Sequence, residues 1–190
     1  MNFELLGHPP DAPTLRLDHE RFAYAGKFVM SNTGKAVARD PEEPPASRDG
    51  QTTTAGLVGA TSFSQDYDDP DRTHIRYVTV REDRRGEGIG PRLLRFTADT
   101  LGRQFESVAI AVNNPIAYQA AYCAGFVWTG RETGMAELLL SYDPGAGTVD
   151  RYRAGFAVFA KRDLPDPHQA VVARHADEAL PPVVDVPGRT

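Results

Sequence analysis

Alternation of apolar and polar positions marks the first half of the chain as strand-forming. Within Glu20–Ser31, Phe22, Tyr24, Phe28 and Met30 fall on alternate positions around Gly26, the period of a half-buried strand. Asn32–Gly34 then offers a turn, and Lys35–Arg39 a hairpin partner. A short helix over Asp18–Ala25 is the competing reading. Thr54–Ser64 and His74–Val80 read as two further strands, separated by the acidic turn Gln65–Arg72. Residues 1–13 read as a loose arm, and Asp40–Gln51 as a polar, proline-rich loop.

The period changes after Pro91, a residue suited to a first helical turn because its missing N–H had no partner there. Leu93, Leu94, Ala98, Leu101 and Phe105 form a helical apolar stripe. Ser107–Val112 is nearly all apolar, as a strand buried on both faces should be. A short helix over Pro115–Cys123 follows, then strands at Phe126–Arg131 and Met135–Tyr142. A last strand is expected at Ala154–Arg162. The order predicts an α/β (α+β) fold, a mixed sheet with helices packed on it. The expected organisation is an arm (1–13), one domain (14–163, its extra strand at 154–162) and a poorly ordered tail (164–190), proline-rich from Leu164 onward.

Composition narrows the function classes. The chain has 190 residues, enough for one domain with a sizeable core. Its net charge of −5 argues against a general nucleic-acid binder. Cys123 stands alone and fits a reducing compartment. The N-terminus lacks the pattern of a signal peptide, and no apolar run approaches the ~18 residues of a membrane span. A cytoplasmic protein with no membrane partner is therefore expected. The five histidines show no metal-ligand spacing, so no metal is expected.

The segment "REDRRGEGIGPRLL", Arg81–Leu94, sets three alternate glycines between a strand and a helix. Such a junction makes an anion site, because first-turn N–H groups lack helical partners and the helix dipole adds partial positive charge. Gly86, Gly88 and Gly90 would let a phosphate approach the backbone closely, and Arg84 and Arg85 could add guanidinium contacts. Two familiar cradles are rejected. There is no G-K-[ST], and the Gly86-x-Gly88-x-Gly90 spacing lacks both the dinucleotide fingerprint and its acidic ribose anchor.

"VTVREDRRGEGIGPRLL" resembles the acetyl-CoA signature of the GCN5-related N-acetyltransferases, an apolar strand followed by [RQ]-x-x-G-x-[GA], matched by Arg85, Gly88 and Gly90. "NNPIAYQAAYCAGF" is similar to the second family segment, N-x-x-A…G-F, matched by Asn114, Ala117, Gly125 and Phe126. The likeness covers about Ala55–Tyr142, the CoA-binding core (55–142). It implies a mostly antiparallel sheet whose central strands, His74–Val80 and Ser107–Val112, are parallel and splayed. Main-chain groups of Val78, Thr79 and Val80 would bind the pantetheine arm and polarise the thioester carbonyl. Arg85, Gly86, Gly88, Ile89 and Gly90 would take the pyrophosphate, with Asn114 also on the cofactor. An acceptor amine would attack the acetyl carbon directly, aided by a base and an acid, with no metal. The alternative is a CoA-binding regulatory or structural domain without turnover.

The chain departs from the pattern in two places. The position of the family's usual tyrosine acid holds Ala121, flanked by Tyr118 and Tyr122; Tyr122 is the favoured acid, and packing is the bland role for both. His74, with the aspartates before it, is the candidate base. The two helices that family members place between their first strands are absent from the pattern. This difference, with the extra strand, suggests an altered acceptor pocket or a homodimer contact. The acidic turn beside the slot points weakly to a cationic acceptor.

Overall fold

The structure is a computed structural model, described here for residues 1–42, 56–175 and 177–188. Seven strands form one sheet in the order β1-β2-β3-β4-β5-β7-β6. They are β1 (Asn2–Gly7), β2 (Gly34–Arg39), β3 (Leu57–Gln65), β4 (Arg72–Val80), β5 (Ser107–Val112), β6 (Phe126–Glu132) and β7 (Leu138–Tyr142). Every neighbouring pair is antiparallel except β4–β5. Helices α1 (Ile89–Leu101), α2 (Pro115–Cys123), α3 (Val149–Phe159) and α4 (Asp166–His175) complete the domain. The strand Ser107–Val112 and the helix Pro115–Cys123 fall on the boundaries the sequence predicts.

One sheet face packs against α1. Gly59 lies beneath Leu93 and Ile89, and the Thr61 and Thr97 hydroxyls meet at 3.0 Å. Ile110, Val112 and Leu140 extend this core toward α2, where it closes on Tyr118 and Tyr122. Residues 13–33 cover the opposite face of β2–β4, burying Leu15, Leu17, Phe22, Ala25 and Phe28 against Val37 and Ala60.

Four expectations are corrected. The arm at 1–13 contains β1, an edge strand paired with β2, whose Phe3 packs on Phe96 of α1. The strand over Glu20–Ser31 does not form. Phe22 and Phe28 are buried, whereas Tyr24 is 54% and Met30 44% exposed, so their alternation does not define one face. The segment instead coils over the sheet, with one short 3-10 turn at Ala25–Lys27. The expected strand Ala154–Arg162 lies largely in α3. Tyr152, Phe156 and Phe159 recur at helical spacing and are buried, and the Thr148 hydroxyl caps the helix by accepting from Arg151 N at 3.3 Å. The tail beyond Leu164 contains α4, and residues 177–188 return across the domain, where Val184 N donates to Cys123 O at 2.8 Å. Most of the proline-rich loop lies outside the described residues. Among those described, no helix is long and apolar enough to cross a membrane.

Lys35 anchors the covering segment from inside the fold. It is fully buried, and its Nζ donates to Met30 O at 2.8 Å, Thr33 O at 2.6 Å and Thr33 Oγ1 at 2.6 Å. Burial pushes its pKa down to about 8. The folded chain therefore releases this proton at lower pH than the unfolded chain, so the contribution of Lys35 to stability rises with pH from about 8 toward 10.5. Lys35→Met should remove that rise: the Tm difference between wild type and variant, measured at pH 7.5, 9 and 10, should move in favour of wild type as pH increases.

Candidate functional site

The site begins where β4 and β5 part. Their parallel pairing runs from Arg72↔Ser107 to Ile75↔Ile110 and stops, although β4 continues to Val80. A register shift against β3 follows at once: Phe63 pairs with Ile75 and Ser62 with Tyr77, leaving Arg76 as the extra residue of a bulge. Bulges bend the strand that carries them, and this one falls at the point of divergence. The main chain of Val78–Val80 is paired with β3 on one side and borders the open slot on the other.

The glycine loop stands at the open end. Gly86 (φ 84°) and Gly88 (φ 71°) occupy left-handed backbone conformations, and Gly88 caps α1. A Cβ at Gly88 would meet only the Arg92 side chain, at 3.9 Å, and one at Gly86 nothing within 4 Å. The space before the first-turn amides of Ile89 and Gly90 is therefore open, and those amides have no helical partner. Arg84 braces the loop, its Nε donating to both Glu87 oxygens at 2.9 and 3.0 Å and its Nη1 to Asp40 at 2.7 Å. Arg92 folds back on the Gly88 and Glu87 carbonyls. Arg85 is half exposed, with a long 3.9 Å approach to Glu82. Of these three arginines it is the least engaged.

Across the slot, Asn114 caps α2, its Oδ1 accepting from Ala117 N at 2.9 Å. That oxygen is committed to the helix, so the bond shown for Asn114 is the N-cap of α2. The hydroxyl of Thr79, buried on β4, has no partner among the described residues.

His74 lies on the sheet face opposite α1, paired with Ser64 and Ala109. Its Nε2 is 2.8 Å from Asp66 Oδ2. Burial lowers the His74 pKa, with Asp66 opposing that shift and the Arg76 charge adding to it. Hydrogen bonds from Asp68 N and His74 keep Asp66 below the usual carboxylate range. An ionised Asp66 can only accept, so Nε2 carries the proton and Nδ1 keeps its lone pair. His74 precedes Val78 by four strand residues, about 13 Å.

The two tyrosines are placed differently. Tyr118 is fully buried, and its hydroxyl donates to the Arg151 and Tyr152 carbonyls of α3 at 3.2 and 3.1 Å. Burial pushes its pKa well above the phenol range. The structure thus gives Tyr118 to the α2–α3 seam rather than to the slot. Tyr122 is 3% exposed and accepts from Trp128 N of β6 at 3.1 Å, with its ring 4.9 Å from Tyr152 of α3. β7 and β5 separate β6 from the slot, so Tyr122, the favoured acid, packs α2 against β6 and α3 and does not line the slot. Ala121 between them is fully buried.

A strand pair that opens onto a glycine-loop helix offers a gap between two strands that ends at unpaired helix amides, a geometry suited to an anionic group. The match to a family model, described as "Acetyltransferase (GNAT) family", runs over residues 12–126, more than half of the chain. The chain belongs to the GNAT family of acetyltransferases. A Bacillus subtilis acetyltransferase solved in complex with CoA shares the fold at TM-score 0.50, with 14% identity over 75% of this chain and 97% of that one. A Streptococcus mutans protein, smu.2055, aligns at TM-score 0.46 and 23% identity over 64% of this chain and 78% of its own. AtaTR, solved bound to acetyl-CoA, aligns at TM-score 0.49 and 13% identity, covering 74% and 91%. No curated protein matches the chain in sequence.

Proposed function

We propose that the chain moves an acetyl group from acetyl-CoA to a primary amine by direct attack within a ternary complex. The observation that carries this reading is the short β4–β5 pairing, opened by the bulge at Arg76 and faced by the glycine loop. The solved relative of the same fold, which holds CoA, supports it.

In this reading the amides of Gly86, Gly88, Ile89 and Gly90, with Arg85, take the pyrophosphate, and Val78–Val80 align the pantetheine arm by main-chain bonds. The thioester carbonyl accepts from a β4 amide as negative charge develops on its oxygen. The amine approaches from the face that carries His74. Neutral His74 receives the amine proton at Nδ1 through a chain of waters, since about 13 Å of strand exceeds what one water bridges. The departing sulfur takes its proton from water, because neither tyrosine hydroxyl of α2 lines the slot. Bringing amine and thioester together supplies much of the barrier reduction.

The test is thiol release from acetyl-CoA with an amine present, followed across pH in wild type, His74→Gln and Tyr122→Phe. Wild-type turnover should fall along an acid limb lying below the ordinary histidine range, because burial lowers the His74 pKa and protonated His74 has no lone pair at Nδ1. His74→Gln should lose that limb and about 10²-fold in kcat. Tyr122→Phe, which removes a hydroxyl held at β6, should leave kcat close to wild type; a kcat loss with acetyl-CoA affinity kept would instead place Tyr122 at the sulfur. Tight acetyl-CoA binding with no thiol release from any amine would instead indicate a CoA-binding domain without turnover.

A further inference from the structure

The acceptor side of the slot has a charge and shape of its own. On the face opposite α1, the floor beyond β4 is made of small or half-buried residues: Ala109 and Ala111 on β5, Leu139 and Ser141 on β7. Beside it stands the covering segment 13–33, in the part of the chain whose pattern lacks the two helices that family members place between their first strands. Its Tyr24 adopts a left-handed backbone (φ 59°, ψ 21°), a conformation that strains a non-glycine residue. That strained residue is not buried. It presents a 54% exposed ring to Tyr77 of β4, centroids 5.8 Å apart. Lys27 Nζ lies 5.7 Å from the same Tyr77 ring. Tyr77 immediately precedes Val78, where the thioester is placed.

The charges here run opposite to those of the whole chain. Arg76, the bulge residue, is exposed and reaches Ser64 Oγ on this same face at 2.8 Å. Among the described residues, no carboxylate forms an ion pair with Lys27 or Arg76. In the nearby turn Asp66 is engaged by His74 and Arg72, and Asp69 by Arg72 at 3.1 Å, while Asp68 and Asp71 are exposed. That turn precedes β4, whereas Arg76 and Tyr77 stand where β4 and β5 part, so two exposed cations and an aromatic pair are nearer the floor than the acids that pointed to a cationic acceptor.

Resting on the acetyltransferase reading above, we propose that the acceptor is an amine that also bears a carboxylate, an amino acid with a flat apolar side chain. Its carboxylate lies between Lys27 and Arg76, its side chain lies against Tyr24 and Tyr77, and its amine points toward the slot. A guanidinium suits a carboxylate because its planar N–H fork matches the two oxygens. The Tyr77 ring beneath Lys27 keeps that ammonium on the acceptor side. A polyamine would place its charges against the same cations.

The experiment compares phenylalanine, phenethylamine (the same amine without the carboxylate) and spermidine as acceptors, by kcat/KM for thiol release. Acetyl-CoA binding is measured separately by calorimetry. Phenylalanine should exceed phenethylamine and spermidine at least tenfold, and K27M and R76Q should each narrow the phenylalanine-to-phenethylamine ratio severalfold with acetyl-CoA affinity unchanged. If acetyl-CoA binds but phenylalanine is not preferred, or is not turned over, the acceptor proposal is overturned while the cofactor site stands. An unaltered ratio in both variants overturns it too. Absence of acetyl-CoA binding overturns the underlying reading itself.

Discussion

Gly88→Val should lose acetyl-CoA affinity by at least 10²-fold, because the β-branched side chain enters the space in which the proposed pyrophosphate site faces the α1 amides. The position is demanding in two separate ways. Its φ of 71° is left-handed, so valine strains the backbone by about 1–3 kcal/mol. The space above it is open apart from Arg92 at 3.9 Å, so any side chain there competes with ligand rather than with protein. Gly88→Asn separates the two effects. Asparagine tolerates the left-handed region, and this variant should keep close to wild-type Tm while still losing affinity. Calorimetric titration with acetyl-CoA and a thermal melt on both variants decide the matter. Wild-type affinity in folded Gly88→Asn would move the pyrophosphate elsewhere.

The parts of this fold written in a single local period were legible before the structure. The stripe from Leu93 to Leu101 and the apolar run Ser107–Val112 sit between clear punctuators, Pro91 and Asn113–Asn114, and each formed the expected element. The glycine loop was legible as a strand-to-helix junction, because Gly86 and Gly88 both take left-handed backbone there and Gly88 caps α1. Failures came where two periods overlap or where tertiary packing decides. Phe156 and Val158 alternate as in a strand, yet Tyr152, Phe156 and Phe159 also mark a helical face, and Thr148 and Asp150 were the unread start signal. Phe22 and Phe28 are buried by coiling over β2–β4, which no short-range pattern encodes. β1 offers only Phe3 and Leu5 as alternating apolar positions, and its strand state depends on pairing with β2. The acceptor wall was equally hidden: Lys27, Arg76 and Tyr24 are unremarkable in the sequence and converge only because the bulge and the covering segment meet at Tyr77.

The largest effect on stability should come from a methyl group far from the cofactor, in Gly155→Ala. A Cβ at Gly155 would land on the Tyr118 phenol. That ring cannot yield easily: Tyr122 lies 4.9 Å from it between centroids, Phe156 5.1 Å and Phe159 5.7 Å. Its hydroxyl is tied to the Arg151 and Tyr152 carbonyls, one turn earlier on α3. Overpacking of this kind costs about 1–3 kcal/mol, partly offset by the roughly 1 kcal/mol that alanine gains over glycine inside a helix. At about 2–4 °C per kcal/mol for a domain of this size, Gly155→Ala should lower Tm by several degrees, and Gly155→Val by more. Tyr118→Leu in the Gly155→Ala background should cost less than Tyr118→Leu alone, because the truncated ring makes room for the methyl group; a double-mutant cycle reads that coupling. The sign of the coupling bears on the chemistry. A strong favourable coupling fixes Tyr118 as the post on which α3 holds α2, and with Tyr122 held at β6 it leaves the sulfur to be protonated by water. Additive effects would mean that the seam is loose enough for Tyr118 to turn toward the slot, which would make it the candidate acid.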